Sequence, residues 1–527
     1  MKLRILPLSL VLAGVFLLTG CHKETMPPQV AMTIRSSVET PTLPASIKDQ
    51  KERARAWEEM RHFYQKRQYQ PAWSGVDGPG PHAEELIRAI GALSAEGLDT
   101  TRYQGGRLAA LLEAVRKDES LESPEAQRRL ADMDVELSYI YLTLAANEAI
   151  GRVQPETLRM QWDSQPRNVD LDARLETALQ GKDDMAASLR SLAPPNPAYA
   201  KLRDALARYR EIAVSTGGGG WPTVTKDNPA TLQARLAAGG DPTLAHFQKR
   251  HGLEPTGKLD DDTLAELNVP VAERIRQIEL NMERWRWLPS SLGDRYIYVN
   301  VPEFRMELRD HGRKAIDMAV VVGKQQSQTP VFSDRMTYLE LNPAWNIPTN
   351  IAENEILPKL ASDPGYLASH NMEFVDDGGG KTRIRQIPGP DNPLGQIKFM
   401  FPNEYDVYLH DTPADHLFSR AERDFSHGCI RLERPVQLAE YLLKDDPDWR
   451  AGRIREAIVS GEQKSVKLPE PIPVHILYFT AWLEDDGTLQ FRRDVYGHDA
   501  KLAAALQKEP AVPLNLPALR GEVRAAK

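Results

Sequence analysis

Residues 295–323 read RYIYVNVPEFRMELRDHGRKAIDMAVVVG, and this stretch decides the fold of the C-terminal half of the chain. Apolar and polar residues alternate in its first two runs, RYIYVNV at 295–301 and FRMEL at 304–308. The turn triplet DHG separates them from a third run, AIDMAVVVG at 315–323. Half-buried strands alternate in this way, and Asx-Gly pairs mark the tight turns between them. The pattern predicts an antiparallel β domain.

A second strand pair and a long insert complete the predicted β domain. The pair lies near 476–482 and 489–492, with Asp486-Gly487 as the hairpin turn. Between 346 and 403 the alternation breaks into a helical run, a DDGGG loop and a proline-rich loop. A long insert inside a strand domain is typical of a substrate lid. A disordered insertion is the alternative, but the run IKFMF at 397–401 favours a packed element.

The N-terminal half is predicted to be helical. One apolar face is visible in residues that recur at three- and four-residue steps: Leu130, Met133, Leu137, Ile140 and Leu144. The segment 48–215 is therefore predicted to be a helical scaffold with no chemistry of its own. Four glycines followed by Trp221-Pro222 predict a linker over 216–230.

A short unit of helix, glycine stop, tight turn and helix follows at 231–269. It contains the runs FQKRHGL, GKL and TLAELN. The unit resembles the small three-helix peptidoglycan-binding module, which implies contact with the cell wall or a purely structural role. About forty residues make only a small core, so the unit is expected to pack on its neighbours. His251 is expected to be a surface or capping histidine rather than a zinc ligand.

The composition excludes several classes of protein. The chain has 527 residues, of which 41% are hydrophobic and 27% charged, so it is expected to form several globular domains. Its net charge of −8 leaves no basic surplus for binding nucleic acid. With only two cysteines, Cys21 and Cys429, it has neither a disulfide-stapled scaffold nor a four-cysteine zinc site.

The first cysteine ends a predicted export signal. A basic start precedes an apolar run of about 14 residues, which is shorter than the roughly 18 to 20 residues of a membrane-spanning helix. The run ends in LTGC, which resembles the bacterial lipobox and implies that Cys21 is lipidated; an ordinary secretory signal is the alternative. His22 then implies sorting to the outer membrane, with the body of the chain in the periplasm. Residues 22–47, rich in Pro, Thr and Ser, are predicted to form a tether.

The second cysteine lies in a segment that can carry chemistry. The run YDVYLHDTP reads as a strand that ends in a loop, and SHGCIRL reads as a glycine turn that enters an apolar run. A free cysteine has a pKa of about 8.5, and an adjacent imidazole can take its proton. His410 and Cys429 are 19 residues apart, so a loop return can bring them together. Gly428 permits an unusual turn where a backbone N–H can hold an oxyanion, and Arg431 is predicted to hold the loop or an anionic substrate group.

The order of these residues resembles the signature of the L,D-transpeptidases of the YkuD type: a histidine, a gap and then Ser-His-Gly-Cys. The resemblance implies that Cys429 is the nucleophile, that His410 is its base and that the carbonyl of Asp411 orients the imidazole. By the same resemblance, four residues support the catalytic loop or an oxyanion: Gly428, Ser426, His427 and Arg431. The last of these is often Asn in shorter relatives and Arg in the large Gram-negative subfamily. Tyr408 and Trp345 lie where that subfamily places aromatic walls of the site, or they are core aromatics.

The resemblance continues through NPAWNIP at 342–348 and LGQIKFMFPN at 394–403. It implies acyl transfer on peptidoglycan stem peptides, in which the thiolate attacks the carbonyl of meso-diaminopimelate and the terminal D-Ala leaves. A side-chain amine of a neighbouring stem then takes the acyl group. The resemblance implies no metal and no organic cofactor. It implies peptidoglycan stem peptides, a membrane reached through the lipid anchor and peptidoglycan synthases as partners, and carbapenems as inhibitors.

Several alternatives stay open. The same site could attach an outer-membrane lipoprotein through its lysine, or hydrolyse that attachment or the stem peptide. A catalytically idle wall-binding lipoprotein is a third alternative. A zinc site of His410, His427 and Cys429 is the fourth; it is disfavoured because His427 and Cys429 are only two residues apart and a catalytic zinc usually has three protein ligands and a water.

The predicted fold class is a multidomain α+β protein with a helical scaffold domain, a three-helix module and a mostly antiparallel β catalytic domain that carries a lid. The predicted boundaries are 1–21 for the signal and lipobox, 22–47 and 216–230 for linkers, 48–215 for the scaffold, 231–269 for the module, 270–468 for the catalytic domain with a lid at about 346–403, and 469–527 for C-terminal strands and a tail.

Overall fold

The computed structural model describes most of the chain after the predicted export signal. The described residues are 25–39, 51–118, 120–158, 160–163, 166–181, 184–216, 220–376, 382–450 and 452–508. The predicted lipobox and Cys21 lie outside them, as does the tail beyond 508. Among these residues, no helix is both long and apolar enough to cross a bilayer.

The scaffold is built around the long helix Pro124–Ile150. Ser123 caps its start by accepting a hydrogen bond from Ala126 N at 3.1 Å, and Gly151, at φ 87°, ends it. The helix is buried along nearly its whole length, so its neighbours surround it. The other helices and turns of the scaffold are Pro28–Val38, Lys51–Lys66, Pro81–Ala92, Leu93–Glu96, Thr100–Tyr103, Gly105–Arg116, Pro155–Leu158, Leu171–Leu179, Met185–Arg190 and Pro197–Ser215, with a small hairpin of β1 (Ser74–Gly75) and β2 (Gly78–Pro79).

The predicted tether over 22–47 is wrong in its middle part. Residues Pro28–Val38 form a helix that packs on the long scaffold helix. Val30, Ile34 and Val38 recur every four residues on one face of it, and all three are completely buried. Burial of this apolar face outweighs the low helix propensity of the flanking Pro and Thr residues.

The three-helix module consists of Pro229–Gly239, Leu244–Arg250 and Asp261–Leu267. Its own core is small and contains Val224, Leu236, Phe247 and Leu267. The module also packs on the catalytic half, where Arg492 Nη1 donates a hydrogen bond to Arg250 O at 3.1 Å. His251 is not on the surface, but it caps the C-terminal end of the helix Leu244–Arg250, so the capping alternative is confirmed. It is buried and stacks on Phe247, with ring centroids 3.9 Å apart, and burial holds its pKa well below the usual value.

The catalytic half begins with the helix Val271–Arg286 and continues into β structure. Its strands, in chain order, are β3 (Arg295–Asn300), β4 (Arg305–Asp310), β5 (Arg313–Gly323), β6 (Phe332–Leu341), β7 (Trp345–Asn346), β8 (Met372–Asp376), β9 (Thr382–Gln386), β10 (Ile397–Met400), β11 (Leu409–His410), β12 (Asp424–Ser426), β13 (Ile430–Leu432), β14 (Lys464–Leu477), β15 (Ala481–Leu483) and β16 (Leu489–Phe491). The helices and turns among them are Val301–Glu303, Thr349–Ile351, Ala352–Ile356, Leu357–Ser362, Tyr366–Ser369, Asp415–Ser419, Pro435–Leu442, Pro447–Trp449, Arg453–Val459 and His498–Lys508.

The main sheet closes into a barrel. Its strands pair in the order β5-β13-β11-β10-β6-β14-β3-β4, and β4 returns to pair with β5, while β12 adds to the edge of β5. Most pairs are antiparallel, and the pairs β11–β13, β14–β3 and β12–β5 are parallel. Closure satisfies the backbone groups that an open sheet leaves at its edges. The predicted fold class is confirmed: a helical scaffold is joined to a mostly antiparallel β domain.

The insert forms a separate layer over the barrel. Strands β7, β9 and β8 make a three-stranded sheet, and short helices between 349 and 369 pack on it around Ile347, Ile351, Ile356, Leu367 and Ile384. The predicted end of the lid at about 403 is wrong, because β10 belongs to the barrel and pairs with β6 and β11. A run of alternating apolar residues such as IKFM can serve either layer, and only the strand pairing decides between them.

The predicted boundary at 468 is also wrong. Strand β14, from Lys464 to Leu477, is part of the barrel wall and pairs with β6 on one side and β3 on the other. The predicted catalytic domain therefore continues past residue 468. The hairpin β15–β16 turns at Gly487, at φ 85°, as the Asp486-Gly487 pair predicts.

Candidate active site

Strand pairing places the candidate residues on one face of the barrel wall. Lys398 of β10 is opposite His410 of β11, and His410 is opposite Arg431 of β13. Directly paired residues point to the same face, so these three side chains form a row across three strands. Cys429 and Tyr408 precede Arg431 and His410 by two residues, which puts them on the same face by alternation. The sequence-predicted nucleophile and base are therefore brought together, with a cation on either side of the base.

The turn that presents Cys429 is held by short hydrogen bonds. Ser426 Oγ donates to Cys429 O at 2.6 Å and accepts from Gly428 N at 3.1 Å. Gly428 O accepts from Thr329 Oγ1 at 2.7 Å, and the residue has φ 121°, which is open to glycine alone. Because the Gly428 N–H is already bonded to Ser426 Oγ, Gly428 supports the turn and does not itself donate to an oxyanion. The Cys429 N–H has no acceptor among the described residues and is the better placed donor.

The thiol of Cys429 is half-buried and reachable. Its Sγ lies 3.8 Å from Asp406 O, and it interacts with the Tyr408 hydroxyl. Burial raises the pKa of the thiol, and the Tyr408 hydrogen bonds and the Lys398 charge partly offset this rise. Burial also raises the pKa of the Tyr408 phenol, with Cys429 beside it as the next cause. Both groups are therefore protonated at neutral pH before a substrate binds.

His410 is buried and neutral. Its Nδ1 donates a hydrogen bond to Asp411 O at 2.5 Å, which leaves Nε2 unprotonated as the basic atom. Burial, together with the charges of Arg431 and Lys398, lowers the pKa of His410 to about 3. The partners of Cys429 Sγ are Asp406 O and Tyr408 rather than His410, and the thiol and the imidazole are both neutral, so they do not form a resting thiolate–imidazolium pair.

The side chain of Asp411 fixes the loop that carries the orienting carbonyl. Its Oδ2 accepts from Gln396 N and its Oδ1 from Thr412 N, both at 2.8 Å. Gly395 is packed against this carboxylate so closely that a Cβ there would clash with Asp411 Cγ. Its φ of 59° also favours glycine. The start of β10 and the His410 loop are thus locked together.

His427 and Trp345 are placed toward the insert rather than beside the thiol. His427 Nε2 lies 2.8 Å from Glu355 Oε1, on the short helical segment Ala352–Ile356. Trp345 is half-buried at the start of β7 and packs on the core of the insert. The described residues show no contact between Trp345 and Cys429, so its role as a site wall stays a prediction. Tyr408 does lie against the thiol and stacks edge-on to His410, with centroids 5.6 Å apart.

The residues of the alternative zinc site do not converge. In the described ranges, the ligand-type side chains close enough to share an ion are Glu59, Asp170 and Asp172, in the scaffold. His427 faces the insert and the Nδ1 of His410 is bonded to a carbonyl, so these two and Cys429 do not form such a group.

Comparison with known proteins divides the chain in the same way as its fold. Residues 294–454 match the YkuD family, described as the L,D-transpeptidase catalytic domain, and residues 58–206 match a family described as Scaffold domain. The part of the chain that holds the candidate site is therefore similar to L,D-transpeptidase catalytic domains. The first match contains Cys429, His410 and the whole row of cations beside them.

The alignments with individual L,D-transpeptidases cover only part of each chain. A Haemophilus influenzae protein named "Putative L,D-transpeptidase" is 32% identical over 246 residues, which cover 44% of this chain and 49% of that protein. The chain thus spans about half the length of this curated relative. An L,D-transpeptidase from Mycobacterium smegmatis aligns with 14% identity and a TM-score of 0.20, over 35% of this chain and 58% of that one. L,D-transpeptidase 3 from Mycobacterium tuberculosis aligns with 12% identity and a TM-score of 0.18, over 35% and 61%.

Three residues of the candidate site were not predicted from the sequence: Lys398, Asp406 and Glu355. Lys398 could have been noticed, because a lysine in the middle of the apolar run IKFMF needs a partner or a function if it is buried. Asp406 contributes a backbone carbonyl, in a loop tied by the Asn403 side chain, and carries no signal in its residue type. Glu355 is exposed, and only the folded insert places it at His427.

Proposed function

We propose that this protein is a periplasmic L,D-transpeptidase that cross-links diaminopimelate residues of peptidoglycan stem peptides through a thioester on Cys429. One observation carries the proposal: within an L,D-transpeptidase domain, a reachable cysteine thiol shares one face with a neutral histidine whose Nδ1 is held by a backbone carbonyl. This is the arrangement that a cysteine nucleophile and its general base require.

Acylation begins with transfer of the Cys429 proton to His410 Nε2. The thiolate then attacks the carbonyl of diaminopimelate, and the Cys429 N–H donates to the oxyanion that forms. On collapse of this intermediate the S–C bond is kept and the C–N bond breaks. His410 returns its proton to the leaving nitrogen, so D-Ala departs as a neutral amine.

Deacylation repeats these steps with a new nucleophile. The side-chain amine of a neighbouring stem attacks the thioester, His410 takes a proton from the attacking nitrogen, and Cys429 leaves as the thiolate that recovers this proton. Bonds and protons balance without an oxidant or reductant. Carbapenems carry a strained acyl group that the same thiol can open, so we propose that they inhibit this enzyme.

The acceptor separates this proposal from its alternatives. Attachment of a lipoprotein uses the amine of a lysine, and hydrolysis uses water, at the same acyl-enzyme. The decisive experiment supplies the purified full chain with disaccharide tetrapeptides, a lysine-ended peptide and water, and identifies products by mass spectrometry. Dimers linked between two diaminopimelate residues support cross-linking. Lysine adducts or free tripeptide as the main product would instead assign one of the alternatives, and no product would favour the idle wall-binding protein.

The pH profile of the free enzyme follows from the state of the base. Because the pKa of His410 is lowered to about 3, the imidazole stays unprotonated from pH 5 to 8, where an ordinary histidine would titrate near 6.5. Because the pKa of Cys429 is raised, the thiol also keeps its proton over this range. We expect kcat/KM for D-Ala release to be flat within about twofold between pH 5 and 8. The midpoint of urea unfolding, measured at the same pH values, controls for loss of the fold. A tenfold fall per pH unit below 6.5 would contradict this assignment.

We also propose that the protein is anchored to the outer membrane through lipid on Cys21 and that it works beside peptidoglycan synthases. The support is the LTGC run and His22 after it, both in the part of the sequence before the described residues. Radiolabelled palmitate should enter the wild-type chain in cells and should be absent from Cys21→Ser, with Cys429→Ser as the labelled control. Equal labelling of the two variants would refute the anchor.

A further inference from the structure

The guanidinium of Arg431 is a half-buried cation without an anionic partner at the active site. Its Nε is buried and has no hydrogen-bond acceptor, and no carboxylate among the described residues forms an ion pair with it. Lys398, the other cation of the row, has Glu340 at 3.8 Å and lies 4.1 Å from the centre of the Tyr408 ring. A charge removed from water without a partner is costly, so it is expected where a ligand supplies the opposite charge.

Arg431 lies on the side of the site where the leaving amino acid of the substrate must bind. It lies directly beside His410 in the strand pairing and two residues beyond Cys429. In the proposed reaction the scissile carbonyl is at Cys429, and the leaving nitrogen must reach His410 to be protonated. The carboxylate of the leaving amino acid is only two bonds from that nitrogen. A group so close to His410 comes within the reach of the cation next to it.

We propose that Arg431 binds the free carboxylate of the amino acid that leaves, and so makes the enzyme select donors that end one residue after the scissile bond. The inference rests on the proposed transpeptidase function. Its ligand is an α-carboxylate of a D-amino acid, which a guanidinium can hold through two parallel hydrogen bonds. Arg431 is accordingly a specificity residue that contacts substrate.

Carboxylate binding has a second consequence for the base. Arg431 and Lys398 flank His410 and disfavour the imidazolium that acylation must form. A carboxylate on Arg431 cancels one of these two charges. The correct donor thereby makes His410 more basic at the moment when it is needed, whereas a donor without the carboxylate leaves it suppressed. Discrimination is therefore expected in kcat as well as in KM.

The test compares two donors that differ only in the leaving group. One is the disaccharide tetrapeptide that ends in D-Ala, and the other is the same compound ending in D-alaninamide. Release of D-Ala or D-alaninamide is followed by mass spectrometry with the full chain. We expect wild type to prefer the carboxylate by about 10- to 100-fold in kcat/KM, as charge-assisted hydrogen bonds typically provide. Equal rates on the two donors would overturn the proposal without the use of any variant.

Substitutions of Arg431 then test whether this residue causes the preference for the carboxylate donor. In Arg431→Met the ratio should fall to about 1, with the amide donor cleaved at least as fast as by wild type, because the suppressing charge is gone. Arg431→Lys should keep an intermediate preference, and it also serves if the methionine variant does not fold. Arg455→Met, which removes an exposed arginine from a surface pair with Glu440, should leave the ratio unchanged.

Three outcomes separate the possible failures. If Arg431→Met slows both donors equally and keeps the wild-type ratio, Arg431 supports the fold and the proposal is wrong. If wild type cleaves both donors equally, the transpeptidase assignment stands and carboxylate selection does not. If wild type cleaves neither donor although iodoacetamide alkylates Cys429, the proposed function itself fails.

Discussion

Replacement of Cys429 by alanine is expected to reduce D-Ala release and dimer formation by at least ~10⁴-fold, the scale on which loss of a covalent nucleophile acts. The reason is that the described part of the chain offers no other thiol to the site, since Cys429 is the one cysteine in it. Water cannot replace it, since His410 is neutral, buried and held for proton transfer at this position. The measurement is the initial rate of D-Ala release from the disaccharide tetrapeptide, together with the intact mass of the protein.

The intact mass distinguishes loss of chemistry from loss of binding. Wild type should gain the mass of the donor without its terminal D-Ala, whereas Cys429→Ala should gain nothing. Cys21→Ser is the matched control, because it removes the other cysteine of the sequence and should keep both the rate and the acyl-enzyme. The unfolding midpoint should change little in Cys429→Ala, since the thiol makes weak contacts: a long hydrogen bond to Asp406 O and its interaction with Tyr408. Dimer formation at the wild-type rate would refute the thioester mechanism.

Replacement of Arg286 by methionine is expected to destabilise the protein by about 3–5 kcal/mol, the usual cost of breaking a buried ion pair. Arg286 is buried between the scaffold and the catalytic half. Its Nη2 donates to Glu96 O at 2.6 Å and to the Tyr199 hydroxyl at 2.8 Å, and its nearest carboxylates are Glu283 at 3.3 Å and Glu148 at 3.5 Å. Methionine fills most of the volume but leaves these carboxylates without their cation. Urea unfolding followed by tryptophan fluorescence measures the loss.

A double variant can separate the electrostatic part of this stability loss from the part that is due to packing. Burial raises the pKa of Glu148 to about 8, although Arg286 opposes this rise, so the ionised Glu148 carboxylate depends on Arg286 for its counter-charge above about pH 8, and the comparison is made at pH 9. The double variant Arg286→Met with Glu148→Gln should recover part of the lost stability, and the two effects should not add. Arg455→Met on the exposed surface should change stability by less than about 0.5 kcal/mol. A loss below about 1 kcal/mol in Arg286→Met would show that this cluster does not join the two halves.

Local signals in the sequence were sufficient for the outline of the fold. The strands β3 to β5, the β15–β16 hairpin and the long scaffold helix follow from alternation, glycine turns and three- and four-residue periodicity, which are properties of neighbouring residues. The helix Pro28–Val38 carried the same kind of signal in Val30, Ile34 and Val38, but the surrounding Pro and Thr residues concealed it. The extent of the barrel did not follow, because membership of β10 and β14 depends on partners far away in the chain.

The same distinction between local and long-range information applies to the candidate active site. By itself the sequence determined which residues can react, because Cys429, His410 and the glycine turn carry their chemistry in their residue types and spacing. Only the tertiary structure decided what surrounds them: Lys398 and Arg431 on either side of His410, Asp406 O at the thiol, and Ser426 on the Gly428 N–H. The physical reason is that the charge and hydrogen bonding of a buried group depend on distance and solvent exclusion. Strand register sets both, and it joins residues that are far apart in the sequence.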